Sequence, residues 1–169
     1  MTPADQQIAF IGAGNVATHM AKALRNAGMK IKAVYSHTLV SAQTLAAEVE
    51  ADAINDIAEL PEANIFVYCV KDDVLPEIAA INSLRFPNAL HIHTSGSTPA
   101  NVFLNQWHGV IYPMQTFSKN AALNFSEVRC YIEGSNRQSL KMIDNLARSL
   151  TSHVSELNTE ARLCLHAAA

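Results

Sequence analysis

Near the amino terminus, Ile11-Gly12-Ala13-Gly14-Asn15-Val16-Ala17 spaces its small residues as G-x-G-x-x-A. That spacing suits one kind of chemistry: bare main-chain amides brought against a pyrophosphate. Gly12 permits the tight turn from strand to helix, and Gly14 lets the backbone approach the anion. Ala17 is small enough for close packing of helix on sheet. The free N–H groups of Asn15 and Val16, with the positive end of the helix dipole, then face the charge. A glycine-rich turn that binds nothing would carry the same letters. The flanking elements therefore decide.

A second set of groups follows at Tyr35-Ser36-His37-Thr38. An NAD site usually has Asp or Glu about 20 residues past the glycines, where it holds the ribose 2′-hydroxyl. Here there is no acid. Hydroxyls and an imidazole accept a 2′-phosphate that a carboxylate would repel, so NADP is expected, with NAD as the alternative. The plain reading of His37 is an exposed loop histidine.

Further strand ends carry polar residues. Val70-Lys71-Asp72-Asp73 closes one, with Asp72 or Asp73 expected to cap the next helix rather than to act as an acid. His93-Thr94-Ser95-Gly96-Ser97-Thr98-Pro99 closes another. Its hydroxyls suit a carboxamide or a substrate carboxylate, and Ser97 or Thr98 before Pro99 suits an ordinary helix start equally well. His91 and His93 project to one face, but no third ligand has suitable spacing, so no metal is expected. Tyr112-Pro113-Met114-Gln115-Thr116-Phe117-Ser118 offers donors for a cleft, and Trp107 reads as packing. No nucleophile elbow or Walker lysine competes with the dinucleotide reading.

The elements that must position these groups alternate between apolar runs and 3.6-period segments, the pattern of a parallel α/β sheet. Strands are expected at 7–11, 31–35, near 53–54, 65–70, 89–93, 109–112, 128–133 and 153–157. The first helix presents Val16, Met20, Ala23, Leu24 and Ala27 on one stripe and stops at Gly28. Further helices are expected at 41–50, 73–81 and 136–150, the last with Leu140, Ile143, Ala147 and Leu150 inward. Thr159 reads as the N-cap of a final helical run with no stop signal before Ala169. A second, helical domain is expected to begin there, giving units of 1–157 and 158–169.

Composition bounds the rest. In 169 residues, 49% are hydrophobic and 16% charged, enough for a buried core and unlike a disordered polymer. Net charge is −3 with no Lys/Arg run, so neither nucleic acid nor an anionic membrane surface is an expected partner. The longest apolar stretches, such as 65–70, are far below the ~20 residues of a membrane span. Met1 to Gln6 lacks a secretory pattern. Cys69, Cys130 and Cys164 fit neither a disulfide framework nor a zinc spacing, so a reduced, cytoplasmic, soluble domain is expected.

Taken together and in order, the segments 11–19, 35–38, 70–73, 93–97 and 112–118 resemble a bacterial family of proteins classed as NADP-dependent oxidoreductases. That family joins a Rossmann-like domain to a helical domain of unknown function. It is similar in outline to pyrroline-5-carboxylate reductases, to 6-phosphogluconate and β-hydroxyacid dehydrogenases, and to deazaflavin-linked NADP reductases. The resemblance implies a doubly wound, mostly parallel three-layer α/β/α sheet. It assigns the pyrophosphate to Gly12, Ala13, Gly14, Asn15 and Val16, and the adenosine ribose to Ser36, His37 and Thr38. Val70, Lys71, Thr94 and Ser95 would flank the nicotinamide. Arg162 to Ala169 resembles the start of the family's helical domain, with an Arg-x-x-Leu-His pattern that makes His166 the candidate proton donor. A helix-surface histidine is the plain reading of the same residue. The implied activity is hydride transfer to or from a small carbonyl or imine, with the whole protein a homodimer through its helical region and these 169 residues alone inactive. The alternatives are a non-catalytic NAD(P)-sensing module and a nucleotide-free interaction domain.

Overall fold

The computed structural model describes residues 6–169. The reading of Met1 to Gln6 as lacking a secretory pattern lies, but for Gln6, outside those residues. Among these described residues eight strands form one sheet in the order β3-β2-β1-β4-β5-β6-β7-β8. Their ranges are β1 Gln7–Ile11, β2 Lys30–Tyr35, β3 Asp52–Ile54, β4 Ile65–Tyr68, β5 Leu90–His93, β6 His108–Met114, β7 Arg129–Gly134 and β8 Val154–Glu156. All neighbours run parallel except β6 and β7. The sheet is a mostly parallel, Rossmann-like α/β fold. From β1 the chain winds outward through β2 and β3, then returns to β4 on the other side. That reversal leaves a crevice at the carboxyl ends of β1 and β4, where ligands of such sheets bind.

Among the described residues five α-helices connect or flank the strands: α1 Asn15–Asn26, α2 Leu39–Val49, α3 Leu75–Arg85, α4 Arg137–Leu150 and α5 Thr159–Ala168. Strand alternation splits the core between two faces. Ile8 and Phe10 pack with α1, α2 and α4, whereas Ala9 and Ile11 pack with Leu75 and Ala79 of α3. All four residues of β4 are buried, as a strand covered on both faces requires. The β7–β8 pair extends the sheet, and α5 lies against β6, where Leu165 meets Val110 and Tyr112.

Helix ends follow local chemistry, with corrections to the expectations. Gly28 takes φ +87° beyond α1, and the bonds from Met29 N to Leu24 O and from Gly28 N to Arg25 O close a Schellman motif. Ala27 is the C-cap and exposed rather than on the buried stripe. The third helix begins at Leu75, after an N-cap at Val74 without a side-chain bond, so neither Asp72 nor Asp73 caps it. Asn158, not Thr159, caps α5 by accepting from Ala161 N. Ser97-Thr98-Pro99 opens no α-helix: a single 3₁₀ turn at Ala100–Val102 follows. No helix among the described residues is long and apolar enough to cross a membrane.

Candidate functional site

At the end of β1 the two glycines do different work. Gly12 donates to Tyr35 O at 2.8 Å, while Cys69 donates to Ile11 O at 2.8 Å, so the turn is wedged between the ends of β2 and β4. Its φ is +111°, and a Cβ there would lie 2.3 Å from Cys69 O. Backbone and space both demand glycine. Gly14, by contrast, has φ −81° and ψ −162°, angles open to any residue, and a Cβ would meet nothing within 4 Å. Packing does not require glycine there. As the N-cap of α1, Gly14 offers no side chain to the first amides of the helix, and the first turn holds no acid. The orphan donors of the helix start therefore point at an open cleft. Ala17 is fully buried beneath them.

That cleft has two connected parts sharing Cys69, Val70 and Lys71. One, of about 620 Å³, is lined by Gly12, Ala13, Gly14, Ser36, His37 and Thr38 together with Val74 and Ile78 of the α3 side. The other, of about 390 Å³, is lined by Asn15, Val16, Thr94, Ser95, Tyr112 and His166. Every residue assigned from the sequence to the dinucleotide, and His166, thus lines this crevice, whereas Thr98, Thr116 and Ser118 do not. In the first part, Ser36 is buried and its Oγ accepts from Thr38 N at 3.3 Å, while His37 and Thr38 are exposed. Val74 and Ile78 make an apolar wall suited to a planar base, which sequence reading missed because both look like ordinary helix residues.

The second part is assembled from distant segments. Tyr112 Oη and His166 Nδ1 lie 3.0 Å apart, with the rings edge to face. Burial raises the Tyr112 phenol, against the opposing pull of the Arg162 charge, so its proton is retained. Gly96 supplies the floor: a Cβ on it would fall 2.4 Å from His166 Nδ1. Asp72 accepts a hydrogen bond from Ser97 Oγ, tying the β4 loop to the β5 loop.

Arg162 is the largest feature that sequence reading missed. Its side chain is 1% exposed, yet Nη1 donates to Ser95 O at 2.9 Å, Gly96 O at 3.2 Å and Thr98 O at 2.9 Å. Nη2 pairs with Glu133 Oε2 at 3.3 Å, and Thr159 Oγ1 donates to the same carboxylate. One guanidinium thereby holds the β5 loop, β7 and α5 together, and His166 follows one turn later on the same helix face. The spacing of Arg162 and His166 was visible; the three carbonyls that explain it were not.

His91 and His93 are fully buried and engaged with protein groups. His91 Nε2 donates to Phe86 O at 2.9 Å, so its Nδ1 accepts from Tyr68 Oη at 2.8 Å. His93 Nε2 donates to Pro99 O at 3.2 Å, and its Nδ1 accepts from Ser95 N at 3.2 Å. Desolvation first, and for His93 also the Arg162 charge, lowers them to about 4 and about 3. Trp107 packs on the core at partial burial. The three cysteines are free; burial pushes Cys69 and Cys130 up to about 12.

Comparison with known proteins adds the lineage. The family model described as NADP oxidoreductase, coenzyme F420-dependent, matches residues 7–90. A Bacteroides fragilis protein titled putative NADP oxidoreductase is 38% identical over 99% of this chain and 66% of its own, with a TM-score of 0.93. Prephenate dehydrogenase of A. aeolicus, solved with hydroxyphenyl propionate and NAD+, is 15% identical over 93% of this chain and 61% of its own, with a TM-score of 0.81. An imine reductase of Bacillus cereus is 17% identical over 96% and 58%, with a TM-score of 0.75. The last two share the fold. The chain spans less than two thirds of the length of these proteins. No curated protein matches its sequence.

Proposed function

This chain belongs, through residues 7–90, to the NADP oxidoreductase family described as coenzyme F420-dependent, and on that premise we propose that it is the dinucleotide-binding part of an NADP-dependent oxidoreductase acting on a small carbonyl or imine compound. The observation that carries the reading is Gly14: a glycine that neither its own φ nor its neighbours require, at an uncapped helix start on the wall of a cleft. A side chain there would occupy the space beside the amides that an anion needs.

In this reading Gly12, Ala13, Gly14, Asn15 and Val16 hold the pyrophosphate. Ser36, His37 and Thr38 hold the adenosine ribose and its 2′-phosphate, with Val74 and Ile78 against the base. Val70, Lys71, Thr94 and Ser95 orient the nicotinamide. When bound, the cofactor supplies or accepts the hydride. His166, with Nδ1 tied to Tyr112, holds a proton at Nε2 for the substrate heteroatom. Arg162 keeps the imidazole and the Ser95–Thr98 wall in fixed relation. Residues 1–157 form the nucleotide-binding unit and 158–169 open a helical unit attached through Arg162, with homodimerisation through that unit in the whole protein. The free cysteines suit a reducing cytoplasm.

Calorimetric titration of this chain with NADP+ and NAD+ tests the proposal. NADP+ is expected to bind more tightly. Gly14→Val should weaken both dinucleotides by about 100-fold, since a branched side chain displaces the phosphates, while the melting temperature holds. A wild-type chain that binds neither nucleotide refutes the reading.

A further inference from the structure

One wall of the adenosine-side cavity comes from none of the strand ends expected to line it. Lys119 enters from residues 115–124, which leave β6 and cross onto α1. Two bonds fasten that crossing. Asn15 Nδ2 donates to Phe117 O at 2.9 Å, and His19 Nε2 donates to Ser118 O at 2.7 Å. Both carbonyls immediately precede Lys119, so the first turns of α1 set where its stem begins. Phe117 reinforces the attachment, with ring centroids 5.8 Å from His19 and 5.9 Å from Phe125. The backbone is held while the side chain stays exposed over the cleft.

The charges around it are distributed unevenly. Among the described residues Lys119 forms no ion pair, whereas nearby Lys22 is already engaged by Glu48. At the end of β2, Ser36, His37 and Thr38 bring hydroxyls and an imidazole but no permanent cation. Thr38 is the N-cap of α2, yet its side chain makes no capping bond, and the first turn of α2 holds no acid. Lys71 lines both parts of the cleft and so stands toward the other end. Asp73, the one carboxylate on this cavity among the described residues, comes from the β4–α3 connection. A phosphate monoester at the β2 end therefore meets donors without a counter-charge, unless Lys119 supplies it. A lysine serves such a group as a point charge on a long stem, with no need of the planar fork of an arginine.

We propose that Lys119 is the residue that discriminates a dinucleotide bearing a 2′-phosphate from one with a free 2′-hydroxyl. The inference rests on the reading of this crevice as an NADP site and adds the source of its specificity. That source is a loop beyond β6 strapped onto α1, in place of a cation after β2. The same two α1 side chains that hold the strap, Asn15 and His19, thus serve nucleotide choice through the main chain they anchor.

The test titrates wild type, Lys119→Met and Lys119→Glu with four probes: NADP+, NAD+, adenosine 2′,5′-bisphosphate and 5′-AMP. The two 2′-phosphorylated probes are expected to weaken about 10-fold with methionine and about 100-fold with glutamate, the range of a charge-assisted contact and its reversal. NAD+ and 5′-AMP should change about twofold at most, and Lys119→Arg should restore most of the preference. Equal losses for NADP+ and NAD+ would overturn the inference, placing the ammonium on the shared pyrophosphate. Unchanged affinity for all four probes would overturn it too. If the wild type binds no dinucleotide, the NADP reading itself falls, and that appears before any variant is compared.

Discussion

The two halves of the crevice are built by opposite means. The adenosine half draws most of its donors, backbone amides and small residues at helix starts, from consecutive chain between β1 and the start of α2, with Val74, Ile78 and Lys119 closing it from elsewhere. The reacting half brings together Thr94–Thr98, Tyr112 and α5, and Tyr112 meets His166 across 54 positions of sequence. A buried guanidinium reaching across 67 positions to Ser95 secures it. A site made of main-chain geometry needs little support from afar. A site made of converging side chains depends on the packing that brings them together, and carries the cost of burying charge to get it.

The largest effect should come from the residue on which the local half depends. Gly12→Ala combines a left-handed φ with a Cβ driven into Cys69 O, and should cost about 4 kcal/mol of folding stability in urea denaturation. If it is tolerated, the turn is less constrained than its geometry states.

Acid should find the other half. His91 and His93 stay neutral in the fold, lowered to about 4 and about 3, while in the unfolded chain they protonate near 6.5. Protons then bind the unfolded state first, so stability is full above pH 6.5 and falls as the pH drops toward 4. Between pH 6.5 and 5 the two should together cost about 3 kcal/mol, followed by denaturation at stepped pH. Because His93 accepts from Ser95 N, amide exchange in residues 94–98 should rise before that of β1. A flat profile over that window contradicts the burial of both rings.

Arg162→Met sharpens the contrast. It leaves Glu133 without its cation and three carbonyls without a donor, for a loss on the order of 3 kcal/mol. NADP+ affinity should change only about threefold, because the adenosine half is untouched. Adding Glu133→Gln should recover part of the stability. If nucleotide binding collapses with Arg162, the halves are not separable. The smallest change is His37→Asp, which repels a 2′-phosphate and accepts a 2′-hydroxyl. The ratio of NADP+ to NAD+ dissociation constants should move about 10-fold toward NAD+.

Much of this molecule could be read before any coordinates. The order of strands and helices, the glycine turn, and the place of Ser36, His37 and Thr38 follow from short-range rules: apolar periodicity, φ preferences and the missing acid after β2. Errors cluster where a local rule was outvoted by a distant partner. Asp72 resembled a helix cap, but Ser97 takes its carboxylate. Thr159 resembled an N-cap, but its hydroxyl goes to Glu133, and Asn158 caps the helix instead.

Sequence alone determined that amides at the start of α1 would be left free, because glycine at position 14 has no side chain to satisfy them. Tertiary structure alone decided what faces them. Lys119 gains its place from two carbonyls bound by α1, and His166 from an arginine buried under the β5 loop. No periodicity records such pairings, since each depends on where the sheet brings remote segments and on which polar group must find a partner once water is gone.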